Sequence, residues 1–130
     1  MTHEQELVLL NRYPDLFDPD TLAWNRSTGF TLQLGAPGWF ALIDAMCKRL
    51  SANGSCRVHE LKEKVGELRV AYDGEHDDAR RVIELAQQQS RMTCQLCGAY
   101  GQLRILPESV IATLCDSCES EVIRKLDTVP

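Results

Sequence analysis

The 130-residue sequence is short of several features that would place it in a functional class at once. No apolar run approaches the ~18 residues that a membrane helix needs. There are only three histidines, and aromatic residues make up 6% of the chain. An excess of positive charge is also missing. The formal net charge is −5, which opposes sequence-independent binding to nucleic acid, since that depends on clustered Lys and Arg to displace counterions. There is no Walker loop, GxGxxG, HExxH or nucleophile elbow. The start, Met-Thr-His-Glu-Gln-Glu, is polar and acidic and does not read as a secretory signal. A cytoplasmic location is expected.

What the chain does have is cysteine, six in all. Four stand as two pairs, Cys94-Gln-Leu-Cys97 and Cys115-Asp-Ser-Cys118, with 17 residues between the pairs. A two-residue spacer lets a tight turn aim both sulfurs at one ion, and the intervening stretch is long enough for a hairpin that returns the second pair. Two such pairs predict one structural Zn²⁺ held tetrahedrally by Cys94, Cys97, Cys115 and Cys118. The competing readings are a disulfide framework, a redox dithiol or buried free thiols. Two CxxC pairs in a chain expected to stay in a reducing cytosol favour the metal.

Charge separates two uses of such a site. Residues 91–130 hold four basic side chains (Arg91, Arg104, Arg124, Lys125) and five acidic ones (Glu108, Asp116, Glu119, Glu121, Asp127), a balance of −1. Zn²⁺ with four thiolates adds about −2. A finger that reads nucleic acid would be basic, so the site is expected to act as a staple.

Periodicity places the elements. Residues 3–12 read as a short helix, with acids early and Arg12 late, as the helix dipole favours. Residues 13–37 read as loop, with Phe30–Leu34 alternating like a short strand. From Gly38 to Ala52, Trp39, Phe40, Leu42, Ile43, Met46, Cys47 and Leu50 form one apolar stripe of a second helix, stopped by Asn53-Gly54. Two strands follow, 56–62 and 67–72, with a turn around Lys64-Val65-Gly66 and with Leu68, Val70 and Tyr72 on one face. A third helix over 77–92 buries Ala79, Val82, Ile83 and Ala86. After the Cys97-Gly98 knuckle comes a hairpin over 101–114 with its tip at Pro107-Glu108-Ser109. Residues 119–126 read as a helix capped by Asp116 or Ser117. The expected fold is therefore α+β: a helix and β-hairpin body over 1–90, with a treble-clef-like zinc module over 91–130 packed on it.

Other candidate residues are less specific. Lys62 and Lys64 share a strand face, and Arg69 lies on the partner strand. They form a candidate surface for an acidic partner or phosphate, against the plainer reading of a solvated hairpin with cross-strand ion pairs. Trp39 is a core anchor or an interface residue. Cys47 and Cys56 read as small buried hydrophobes. His59 and His76 fall in no catalytic arrangement.

Three blocks carry a resemblance. They are Gly38-Trp39-Phe40-x-Leu42-Ile43-Asp44, then Leu61-Lys62-Glu63-Lys64-Val65-Gly66-x-Leu68-Arg69, then Cys94-x-x-Cys97-Gly98-x-x-Gly101 with Thr113-Leu114-Cys115-Asp116-x-Cys118. In that order they resemble a group of small uncharacterised bacterial and phage proteins that share GWxxLID, VKEKFGxLR and CxxCG…LCDxC. Leu61 and Val65 stand where the group usually has Val and Phe. The resemblance spans about residues 38–118 and implies a bacterial or phage source without a mechanism. The expected function is non-enzymatic binding of a macromolecular partner, a protein, as an inhibitor or accessory factor. The alternatives are a nucleic-acid-binding regulator and an enzyme with a site on the charged hairpin.

Overall fold

In the computed structural model, residues 1–17, 36–54, 56–74 and 77–127 are described. The first helix, α1 (His3–Arg12), starts at a capping box. The Thr2 hydroxyl accepts from the Gln5 N–H at 3.1 Å, and the Gln5 side chain accepts from the Thr2 N–H at 2.9 Å. Each bond satisfies a backbone donor that the first helical turn leaves orphaned. A 3-10 turn, Pro37–Trp39, leads into α2 (Phe40–Asn53), which ends at Gly54 with φ 69. That left-handed angle suits glycine and explains the stop. The alternating stretch at Phe30–Leu34 lies outside the described residues.

The hairpin of β1 (Arg57–Lys64) and β2 (Glu67–Asp73) is antiparallel, pairing Arg57 with Asp73 and Lys64 with Glu67, and its register shifts by one residue between Val58 and Glu60, a bulge at His59. Its two-residue turn, Val65-Gly66, has φ of 54 and 79. Two positive angles match the twist of a tight hairpin, but a β-branched residue adopts them only at a cost. The Glu63 carboxylate braces the turn by accepting from the Gly66 N–H at 2.7 Å. Beyond it, α3 (Asp77–Ser90) buries Ala79, Val82, Ile83, Ala86 and Ser90. Its last turn closes the outer edge of β2. The Leu68 N–H donates to Ser90 Oγ at 2.9 Å and the Val70 N–H to Gln87 Oε1 at 3.3 Å. Trp39, Ile43, Met46, Cys47 and Leu50 pack with Val58, Leu61, Leu68, Val82 and Ile83 into the body core.

The C-terminal part is a second antiparallel hairpin, β3 (Gln102–Ile105) and β4 (Ile111–Leu114), followed by α4 (Asp116–Asp127). Its own small core holds Cys94, Leu106, Ala112, Leu114 and Val122. The architecture is α+β, with four helices and two hairpins among the described residues. No helix among them is long and apolar enough to cross a membrane.

Two glycines let this part sit against the body. A Cβ on Gly38 would lie 2.3 Å from the Cys94 carbonyl oxygen and 2.5 Å from the Gly98 nitrogen. A Cβ on Gly66 would lie 2.5 Å from Leu103 Cδ1. Hydrogen bonds complete each contact. The Gly38 N–H donates to the Gln95 carbonyl at 2.7 Å, Trp39 Nε1 to the Thr93 carbonyl at 2.8 Å, and Thr113 Oγ1 to the Gly66 carbonyl at 2.7 Å. The three sequence blocks, far apart along the chain, thus meet at one seam.

Candidate metal centre

The site is assembled from the knuckle before β3 and the start of α4. In the knuckle, the Cys94 N–H donates to the Ala99 carbonyl at 2.7 Å and the Gly98 N–H to the Cys94 carbonyl at 3.0 Å. Gly98, at φ 83, supplies the left-handed residue that turns the chain back. The second pair straddles the start of α4. That helix begins at Asp116, so neither Asp116 nor Ser117 is its cap, in contrast to the expectation from sequence. Cys115 takes that place, because its sulfur accepts from the Cys118 N–H at 3.4 Å. A thiolate there satisfies an orphan donor and sits at the positive end of the helix. Arg104 holds the same end down, with Nη2 2.8 Å from Asp116 Oδ1, Nη1 3.0 Å from Glu119 Oε1, and Nε donating to the Leu114 carbonyl at 2.9 Å.

The four sulfurs converge. Sγ of Cys94, Cys97, Cys115 and Cys118 all lie within 4.8 Å of one another. Cys97 and Cys115 are 3.7 Å apart. Metal–sulfur bonds of about 2.3 Å at tetrahedral angles put neighbouring sulfurs roughly 3.8 Å apart, whereas a disulfide needs about 2.05 Å. All six cysteines are free. The donor set therefore fits a metal ion, and four cysteine ligands leave no open coordination position.

Protonation points the same way. Burial works against ionisation of Cys94, but the N–H groups of Cys115, Cys97 and Leu96 outweigh it and bring the thiol down to about 7. For Cys97, the Ala99 N–H favours the thiolate, yet desolvation and the Cys115 and Cys94 thiols leave its pKa raised. Burial, then hydrogen bonds from the other three thiols, pushes Cys118 up. Cys94 ionises readily while Cys97 and Cys118 resist, because burial and hydrogen bonds among the thiols favour their neutral forms. A bound cation removes that resistance.

The remaining candidates fall elsewhere. Trp39 is fully buried, so it is a core anchor and does not offer an interface surface. Lys62, Lys64 and Arg69 stand exposed on the first hairpin. Their neighbouring ion pairs run along the strands rather than across them: Lys62–Glu60 at 2.9 Å and Arg69–Glu67 at 3.7 Å. Two cavities, of about 230 and 120 Å³, are lined by other residues, the first by Arg12, Tyr13, Leu50 and Cys56, the second by Leu42, Met46, Val82 and Leu85. Cys47 and Cys56 are buried, and burial raises both pKa values. His59 meets Asp73 at 2.6 Å on the exposed hairpin, and His76 lies outside the described residues.

Gln95 was not singled out from sequence. It is 1% exposed although it sits inside a CxxC spacer. Its N–H donates to the Thr113 carbonyl at 2.9 Å and its Oε1 accepts from the Thr113 N–H at 2.8 Å, so it closes the outer edge of β4. A glutamine in a spacer carries no local signal for that role. No family model matches the chain, and neither the curated proteins nor the solved structures give a match.

Proposed function

We propose that this is a non-enzymatic cytosolic protein that binds one structural Zn²⁺ through Cys94, Cys97, Cys115 and Cys118 and acts by binding a protein partner. The observation that carries the metal is the convergence of four sulfurs within 4.8 Å of one another, with Cys97 and Cys115 3.7 Å apart. When bound, zinc cross-links the knuckle to α4 in the manner of a treble clef, a knuckle and hairpin followed by a helix whose first turn carries the last ligand. The acidity, together with the resemblance to small bacterial and phage proteins, favours an inhibitor or accessory factor of such an origin.

Surface character supports a protein partner over nucleic acid. Five of the large exposed apolar residues (Val65, Met92, Tyr100, Leu103 and Ile105) belong to the zinc module or to the turn beneath it. Clustered apolar exposure of this kind marks interaction surfaces. The nearby cations are already engaged, Arg104 by Asp116 and Glu119 and Arg91 by Glu67 at 2.6 Å. Lys62, Lys64 and Arg69 are retained as a secondary contact surface.

Metal analysis of purified protein, combined with an oligonucleotide titration across salt concentrations, tests this reading. One zinc per chain and little oligonucleotide binding are expected. Tight binding with a steep salt dependence would favour the nucleic-acid alternative. Iron in place of zinc would contradict the metal assignment, since four thiolates suit either ion.

A further inference from the structure

Strand edges in this molecule are mostly closed. Gln87 and Ser90 cover β2, and Gln95 covers β4. β1 meets Leu16, whose carbonyl accepts from the Val58 N–H at 2.8 Å, and carries exposed Glu60, Lys62 and Lys64. Charges on an edge discourage strand addition.

β3 differs. Thr113 turns its N–H and C=O toward Gln95, so it makes no ladder bond to Leu103 opposite it. In an antiparallel pair the backbone groups of Leu103 then point to the outer edge, as do those of Ile105 two residues on. Two further bonds agree with this alternation. The Leu106 N–H points inward, donating to the Val110 carbonyl at 2.7 Å, and the Gly101 N–H points outward, donating to the Met92 carbonyl at 2.9 Å. Met92 thus occupies the first outer position, and no hydrogen bond among the described residues occupies the next two. Leu103 and Ile105, at those positions, are 58% and 79% exposed.

We propose that β3 pairs antiparallel with β3 of a second copy of the chain about a twofold axis, joining two hairpins into one four-stranded sheet. This rests on the protein-binding reading and names one partner. The register is self-complementary, as an isologous contact requires. Leu103 faces Ile105 of the second copy, and Ile105 faces its Leu103, giving roughly four backbone hydrogen bonds and two apolar cross-strand pairs. Arg104 meets its own counterpart at the centre. Each Arg104 already carries two carboxylates, at 2.8 and 3.0 Å, so the positive charge of each guanidinium is more than offset before the two meet. The ladder cannot run further, because Met92 holds Gly101 and Pro107, which would stand opposite, has no N–H. So small a contact is weak and concentration-dependent.

Sedimentation equilibrium of the full metal-loaded chain over a range of concentrations is the test, comparing wild type with Ile105→Lys and Leu85→Lys. Wild type and Leu85→Lys are expected to dimerise in the micromolar range, with dissociation of Ile105→Lys raised at least about tenfold. Amide exchange on wild type gives a second readout that needs no variant, with Leu103 and Ile105 slowing as concentration rises. A wild type that stays monomeric throughout overturns the proposal. A dimer disrupted by Leu85→Lys but not by Ile105→Lys overturns it too, as does a monomer whose β3 captures an unrelated extended peptide. Metal content of the same samples bears only on the zinc assignment. Binding of other proteins, measured by native pull-down, bears on the wider protein-binding reading, so each failure is distinguishable.

Discussion

The body sets Trp39, Phe17, Leu9, Ile43 and Leu50 side by side out of solvent, whereas the module's buried set is Cys94, Leu106, Ala112, Leu114 and Val122, one of them a member of the four-cysteine cluster. Each large apolar side chain buried contributes about 1.5–3 kcal/mol. Ordering the roughly forty residues of the module costs about 1–2 kcal/mol apiece in backbone freedom alone. Its apolar interior is small against that cost, and a structural zinc site contributes roughly 10–16 kcal/mol. The comparison teaches that the same cysteine side chain has two uses here. Cys47 is packing material in the body, while Cys94 joins three other sulfurs in a set that fits a metal ion.

Removing a ligand should break the module and spare the body. Cys118→Ala is expected to abolish stoichiometric zinc and lose most of the roughly 10–16 kcal/mol that the metal supplies. Amide exchange should show α4, β3 and β4 unprotected while α2 and α3 stay protected. The reverse experiment is Leu50→Ala, which opens a cavity in the body core. A loss of about 2–5 kcal/mol is expected in denaturant unfolding, with one zinc still bound per chain.

A change at the seam asks whether the two parts unfold together. In Gly38→Ala the added methyl meets backbone atoms of the knuckle, which cannot rotate away as a flexible side chain would. Overpacking of this kind costs about 1–3 kcal/mol. Calorimetry should resolve one transition in the wild type and two in the variant. The smallest effect is expected from Lys62→Ala. Its pair with Glu60 is exposed on both sides, so unfolding should shift by less than about 0.5 kcal/mol.

Legibility from sequence follows the range of the interaction. The buried stripe of α3 repeats at helical spacing within a few residues, and all four of its expected positions are buried. The metal ligands are legible because two CxxC spacings state local geometry and chemistry together. The seam is not. A glycine at 38 or 66 shows that a side chain is missing but does not say which distant backbone fills the space. Lys62 and Arg69 are adjacent across the hairpin, yet each pairs along its own strand, a choice of rotamer that spacing does not encode. Gln95 acts as a strand edge through tertiary contact alone.

Chelation followed by alkylation, with mass spectrometric mapping of each cysteine, tests the central claim most directly. Before chelation all six thiols should react slowly, four because they hold metal and two because they are buried. After chelation Cys94, Cys97, Cys115 and Cys118 should become reactive together while Cys47 and Cys56 stay protected. If all six become reactive at once, or if the four are unaffected by the chelator, the account of a metal-held module on a self-sufficient body is contradicted.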